Sequence, residues 1–99
     1  MLIVQVVDES GDGVHRAEVE LRGTDEEGDL VVEHARSDAD GVAVFEFPGR
    51  GHYQLRAHTD PICCLREGTL DAEVTRSDEL LVLETATGPC PTAVPTWCE

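Results

Sequence analysis

Four cysteines and four histidines are the residues of this 99-residue chain with the most reactive side-chain chemistry. Cys63 and Cys64 are adjacent, and Cys90 and Cys98 stand near the C-terminus, giving the spacing C-C-x25-C-x7-C. Thiolates and imidazoles are ligands of tetrahedral zinc, so Cys63, Cys64, Cys90 and Cys98, or three of them with one histidine, could form a site with Zn–S bonds of about 2.3 Å. The spacing contains no CxxC knuckle, which weighs against zinc. Two disulfides could instead clip the tail to the Cys63–Cys64 segment across 26 to 35 residues, each stabilising by about 2–4 kcal/mol. Adjacent cysteines bridge each other only with strain, so Cys63 and Cys64 are expected to pair outward. Reduced, buried thiols are the third state, normal in a reducing compartment. Disulfides are the preferred expectation, with zinc and free thiols as alternatives. Of the histidines, His52 and His58 share strand parity, but six residues of strand separate them by about 20 Å, too far for one metal. His15 falls in a turn and His34 in a strand, each reading as a single exposed side chain.

Asp38-Ala39-Asp40-Gly41 shares two acidic positions with a calcium-binding loop. An EF-hand also needs a Glu at position twelve and flanking helices, and the twelfth position counted from Asp38 is Gly49. The segment therefore reads as a tight turn, with Asp bonding its own backbone and Gly41 supplying a positive φ. No G-x-S-x-G, P-loop or HExxH occurs. Carboxylates are so frequent here that two close together do not argue for acid–base catalysis. No catalytic residue and no organic cofactor are expected.

Twenty-one Asp and Glu stand against seven basic residues, all Arg, for a net charge of −14. Such self-repulsion destabilises a small domain in dilute buffer. At molar salt the Debye length falls to about 3 Å and most of the penalty goes. The acidic, lysine-free composition resembles that of proteins from extreme halophiles. It repels nucleic acid and anionic membranes, so neither is expected as a partner. The start, MLIVQVVDESG, has no basic segment before its short apolar run and reads as a first strand rather than a signal peptide. The expectation is synthesis in the cytoplasm.

These residues need a scaffold, and the apolar pattern predicts one of strands. Leu2 to Val7 is a β-rich run. Ala17, Val19 and Leu21 alternate with charged residues, and an acidic loop is read over Gly23 to Asp29. Leu30 to Ala35, Val42 to Phe47, and the alternation of Tyr53, Leu55 and Ala57 follow, then a loop over Thr59 to Thr69, Leu70 to Val74, and Leu80 to Thr85. No helical period is sustained. About seven short strands punctuated by turns predict an all-β, antiparallel sandwich over residues 1–85. Ala43, Phe45, Phe47, Tyr53, Leu55 and Ala57 are expected to face inward. Residues 86–99 hold three prolines and two cysteines, and they read as an irregular tail without a ladder strand. In an alternating chain the fifth-to-sixth connection and the end of the seventh strand share one end of the sandwich, which would bring the four cysteines together. Trp97 is expected either as a lid over that end or as a contact for a neighbouring chain.

DESGDGVHRAEVELRG, SDADGVAVFEF and GHYQLRAH together resemble the transthyretin-like fold, and in particular the carboxypeptidase regulatory-like domains, an immunoglobulin-like β-sandwich. Gly13, Ala17, Val19, Leu21, Asp38, Gly41, Ala43, Phe45, Gly51, Tyr53, Leu55 and Ala57 fill the positions of that pattern, within about the first 58 residues. The resemblance implies a non-catalytic accessory or assembly module. Transthyretin-like hydrolases of purine breakdown end in Tyr-Arg-Gly-Ser, whereas this chain ends Thr-Trp-Cys-Glu, so that activity is not carried over. The functional expectation is an oligomeric structural or interaction subunit that binds other protein subunits. A virion protein (decoration, turret or tail) of a halophilic archaeal virus is the form that joins these features. The alternative is a small zinc or redox protein built on the cysteines.

Overall fold

The computed structural model describes residues 1–59, 65–88 and 93. Eight strands and no helix are found among them: β1 (Leu2–Val7), β2 (Glu18–Asp25), β3 (Leu30–Arg36), β4 (Val42–Phe45), β5 (Gly51–His58), β6 (Arg66–Val74), β7 (Glu79–Glu84) and β8 (Ala86–Thr87). They form two sheets, a three-stranded one in the order β4-β1-β7 and a five-stranded one in the order β3-β2-β5-β6-β8. The result is an all-β sandwich. Pairing is antiparallel except between β1 and β7, which run parallel, with Leu2 opposite Glu79 and Val7 opposite Glu84.

Period-two alternation places the core. Leu2, Val4 and Val6 of β1, Val19 and Leu21 of β2, Ala43 and Phe45 of β4, Tyr53, Leu55 and Ala57 of β5, Val74 and Leu83 are all buried between the sheets. Among the described residues two polar side chains, Ser37 and Thr85, are buried with them. The Ser37 hydroxyl donates to the Val14 carbonyl (2.6 Å) and accepts from the Ala17 N–H (2.8 Å). The Thr85 hydroxyl donates to the Val7 carbonyl at 2.9 Å. Both are satisfied, so neither carries the cost of a stranded buried donor.

Asp38-Ala39-Asp40-Gly41 is a turn, and its device occurs three times. Asp8, Asp25 and Asp38 each accept two backbone N–H groups on Oδ1, from the residues two and four further on, at 2.8–3.0 Å. The carbonyl of each also accepts the N–H of the glycine three residues on, at 3.0 Å. Those glycines, Gly11, Gly28 and Gly41, have φ of +86°, +84° and +83°, where a side chain would be strained.

Four expectations are corrected. Gly23, Thr24 and Asp25 belong to β2 rather than to a loop. Gly23 lies opposite Tyr53, and a Cβ there would meet the His52 carbonyl oxygen at 2.1 Å and the Tyr53 ring at 2.8 Å. β6 begins at Arg66, inside the expected loop, because Gly68 lets the Glu84 carbonyl approach where a Cβ would stand 2.0 Å away. β4 ends at Phe45, and Phe47 lies beyond it, 41% exposed. Ala86 and Thr87, assigned to a strandless tail, pair with Glu67 and Arg66 as β8. The prolines that forbid a ladder come only after this pair.

Candidate functional site

The two sheets present outward faces of opposite character. On the five-stranded sheet the outward positions are mostly polar, with Leu30 and Val32 of β3 as exposed apolar exceptions. Glu18 lies between Arg36 and His58, and Glu20 between His34 and Arg56. Arg36 donates to Glu18, and this bond is the main reason the Glu18 carboxyl sits below its ordinary value. His34 Nε2 lies 3.2 Å from Glu20, whose carboxyl is lowered chiefly by that bond, with Arg22 adding its charge. His52 and His58 stand near opposite ends of β5, as their spacing requires. Three of the seven arginines (Arg22, Arg36, Arg56) and three of the four histidines share this face. Cross-strand attraction of this kind stabilises a sheet weakly when exposed. No group of three or more metal-ligating side chains occurs among the described residues.

On the three-stranded sheet the outward positions are apolar apart from Gln5 and, at the end of β7, Glu84. Val44, Ile3 and Leu80 form one row across β4, β1 and β7, and Val42, Gln5 and Val82 form the next. Ile3, Val44, Val82 and Leu80 are exposed by 36%, 47%, 51% and 66%. Sequence reasoning missed this face. Its signal was present in LIVQVV and ELLVLE, which are apolar on both parities. Such runs belong to strands with both sides to cover.

Both ends of the sandwich carry polar structure. At one end an open depression of about 520 Å³ is lined by Phe47, Arg50, Thr75, Arg76, Ser77 and Asp78. The Met1 ammonium beside it donates to the Ser77 carbonyl (2.6 Å) and to Asp78 (2.9 Å). At the other end Glu9 accepts from Arg66 and from the Thr87 hydroxyl, both at 3.1 Å. Its carboxyl is lowered by its own backbone N–H first and by Thr87 second. There the Gly88 N–H donates to the Leu65 carbonyl at 2.6 Å. Leu65 follows Cys64 in the sequence, and Gly88 precedes Cys90 by two residues. Cys63, Cys64, Cys90, Cys98 and Trp97 themselves lie outside the described residues.

No protein-family model matches the chain, and no curated protein matches it either. No helix among the described residues is long and apolar enough to cross a membrane.

Proposed function

We propose that this chain is a non-enzymatic structural or interaction subunit of a larger protein assembly, built on a transthyretin-like sandwich. The observation that carries the reading is the outward face of the three-stranded sheet. Ile3, Val44, Leu80 and Val82 stand exposed in two adjacent rows on a chain of net charge −14. An apolar, charge-free patch on so acidic a chain supports a contact surface at this face. The fold name draws on the motif glycines Gly13 and Gly41, which meet in the structure. It also draws on strand order, since β4-β1-β7 over β3-β2-β5-β6 is not the ABED and CFG order of immunoglobulin constant domains. The partners are other protein subunits, because the acidic surface repels nucleic acid and anionic lipid. A halophilic virion (decoration, turret or tail protein) is the assembly that suits an acidic, lysine-free chain. The test is to tag the chain in its native cells and follow it by sedimentation in molar KCl. Co-migration with a large particle at fixed stoichiometry is expected. A chain found only as free protein in cells that contain its particles sinks the reading.

A second reading, a small zinc or redox protein, is favoured by one observation. The Leu65–Gly88 hydrogen bond and the β6–β8 pairing join the two stretches of chain that lead to Cys64 and Cys90. Metal analysis together with intact mass separates the cases. About one zinc per chain supports the second reading, whereas a mass lower by about two units per bridge, without metal, supports disulfide clips.

A further inference from the structure

Among the described residues, the rows Val44–Ile3–Leu80 and Val42–Gln5–Val82 contain no charged side chain. Gln5, the one polar member, donates its side-chain N–H to the Asp40 carbonyl at 2.7 Å. That donor therefore keeps a partner when water is removed. Beyond the rows on the two outer strands stand the exposed acids Glu46, Asp78 and Glu84, with Asp78 paired to the Met1 ammonium at 2.9 Å. An apolar centre inside a polar rim is the usual anatomy of a protein contact. The outward face of the other sheet mixes Glu18, Glu20, Glu67, Asp71 and Glu73 with its cations. Two copies meeting there would have to set every carboxylate against a cation of the other copy, and any other register sets carboxylate against carboxylate, which is costly. At the three-stranded sheet they would meet where neither copy has charge.

We propose that the outward face of β4-β1-β7 is an interface between two copies of this chain, packed sheet on sheet. The proposal rests on the reading of the chain as an assembly subunit and names one surface and one partner for it. β1 is central in its sheet, so a twofold axis running along β1 between the two faces sets each row against its own copy, as a dimer contact requires. Three strands spaced by about 4.8 Å and about six residues long make a face of about 300 Å² in plan. A standard interface buries about 800 Å² per partner. This contact is therefore weak, concentration-dependent and reinforced by neighbours in an array. The charge on each copy adds long-range repulsion, which only salt removes.

The experiment is sedimentation equilibrium of the full chain under reductant, in 0.1 M and in 3 M KCl, for the wild type, Leu80→Arg and Val32→Arg. Each substitution removes one unit of net negative charge at an exposed position. Leu80 lies in the face, whereas Val32 lies on β3 of the other sheet. The expected result is a reversible dimer in 3 M KCl that is at least tenfold weaker in 0.1 M KCl. Leu80→Arg should abolish it and Val32→Arg should preserve it, with both variants keeping the wild-type circular dichroism. A dimer that survives Leu80→Arg, or is lost equally in both variants, overturns the proposal. So does a wild type that stays monomeric at millimolar concentration in 3 M KCl. A monomer whose thermal midpoint falls in Leu80→Arg shows the face covered within one chain, which also overturns it. Co-migration with a native particle is measured separately, so the subunit reading can survive the loss of this interface. If both fail, the subunit reading goes too.

Discussion

Gly13 and Gly41, twenty-eight residues apart, lie in contact. A Cβ on Gly41 would stand 2.7 Å from the Gly13 Cα, and one on Gly13 would stand 2.1 Å from the Asp40 carbonyl oxygen. The contact docks the Asp38–Gly41 turn on the segment that leaves β1. There the Gly41 carbonyl accepts the Val6 N–H at 2.7 Å, and the Val6 carbonyl accepts the Val14 N–H at 2.8 Å. Two turns legible as separate signals in the sequence thus form one corner that holds the end of β1 against β4.

Gly41→Ala and Gly28→Ala should therefore differ sharply. Both residues have a positive φ, but a Cβ on Gly28 meets nothing within 4 Å, whereas one on Gly41 meets the Val6 carbonyl oxygen at 2.6 Å. The left-handed backbone alone costs a side chain about 1–2 kcal/mol, and that is the loss expected for Gly28→Ala. Gly41→Ala adds a backbone overlap that only movement of β1 relieves, so about 3 kcal/mol or more is expected. Urea unfolding of both variants in molar KCl reads the difference. Equal losses would show that the corner yields freely.

Phe45→Ala and Phe47→Ala locate the end of β4. Phe45 is 3% exposed and sits in the core cluster, while Phe47 is 41% exposed. Removing a buried Phe costs about 3–5 kcal/mol. Phe47→Ala should cost less than half of that, because much of its ring is already wet. A Phe47 loss as large as that of Phe45 would mean that the strand and its inward parity continue to residue 47.

Much of this architecture was legible, and where it was not, partners distant in sequence were the usual reason, glycines among them. The buried set Tyr53–Leu55–Ala57 alternates with Gln54 and Arg56, so its parity was readable, whereas Ala43 and Phe45 stand beside the apolar Val42 and Val44 and only the period-two spacing places them. The Asp-x-x-Gly turn was readable because side chain and backbone conspire within five residues. Gly23 and Gly68 carried the opposite meaning: each is strand, emptied of a side chain so that Tyr53 or the Glu84 carbonyl can approach. Nothing local distinguishes such a glycine from a turn glycine, because the approaching group comes from another strand. The parallel pairing of β1 with β7 was hidden for the same reason, since it joins residues nearly eighty positions apart. The apolar outward face was visible only as β1 and β7 being apolar on both parities. No interior neighbour exists to account for the outward set.

Asp38 predicts an acid limb. Its carboxyl lies below the ordinary 3.8 because the Val42 N–H, and then the Asp40 N–H, bond to the ionised form. A carboxyl depressed in the folded state stabilises the fold above its unfolded value. That contribution disappears as pH falls through the folded value. The turn is therefore at full strength at neutral pH and weakens below about pH 4. Asp38→Asn keeps an acceptor at Oδ1 but cannot titrate, so its thermal midpoint should fall less than that of the wild type between pH 4 and pH 2.5 in molar KCl. Glu18, Glu20 and Glu79 are lowered too and keep part of the limb in the variant. Wild-type and variant curves that stay parallel through this window would falsify the assignment.

Salt should stabilise the fold, and the location of the charge says how to prove the cause. Much of the acidic excess lies in the turns Asp8–Asp12, Asp25–Asp29 and Asp38–Asp40, at the ends of the sandwich rather than among the cations of the five-stranded sheet. Those like charges repel across solvent, and the repulsion weakens as the Debye length falls from about 10 Å at 0.1 M to about 3 Å at 1 M salt. The thermal midpoint should therefore rise most steeply below 1 M KCl and flatten above it. Salt also strengthens apolar burial, which would raise the midpoint without reference to charge. A double variant, Glu26→Gln with Glu27→Gln, separates the two causes. Both side chains are exposed in a turn whose hydrogen bonds come from Asp25 and the backbone, so the turn is left intact. If repulsion is the cause, the variant starts at a higher midpoint in 0.1 M KCl and gains less from added salt. If burial is the cause, variant and wild type rise in parallel. A wild-type midpoint unchanged from 0.1 M to 3 M KCl would remove both explanations and the halophilic reading with them.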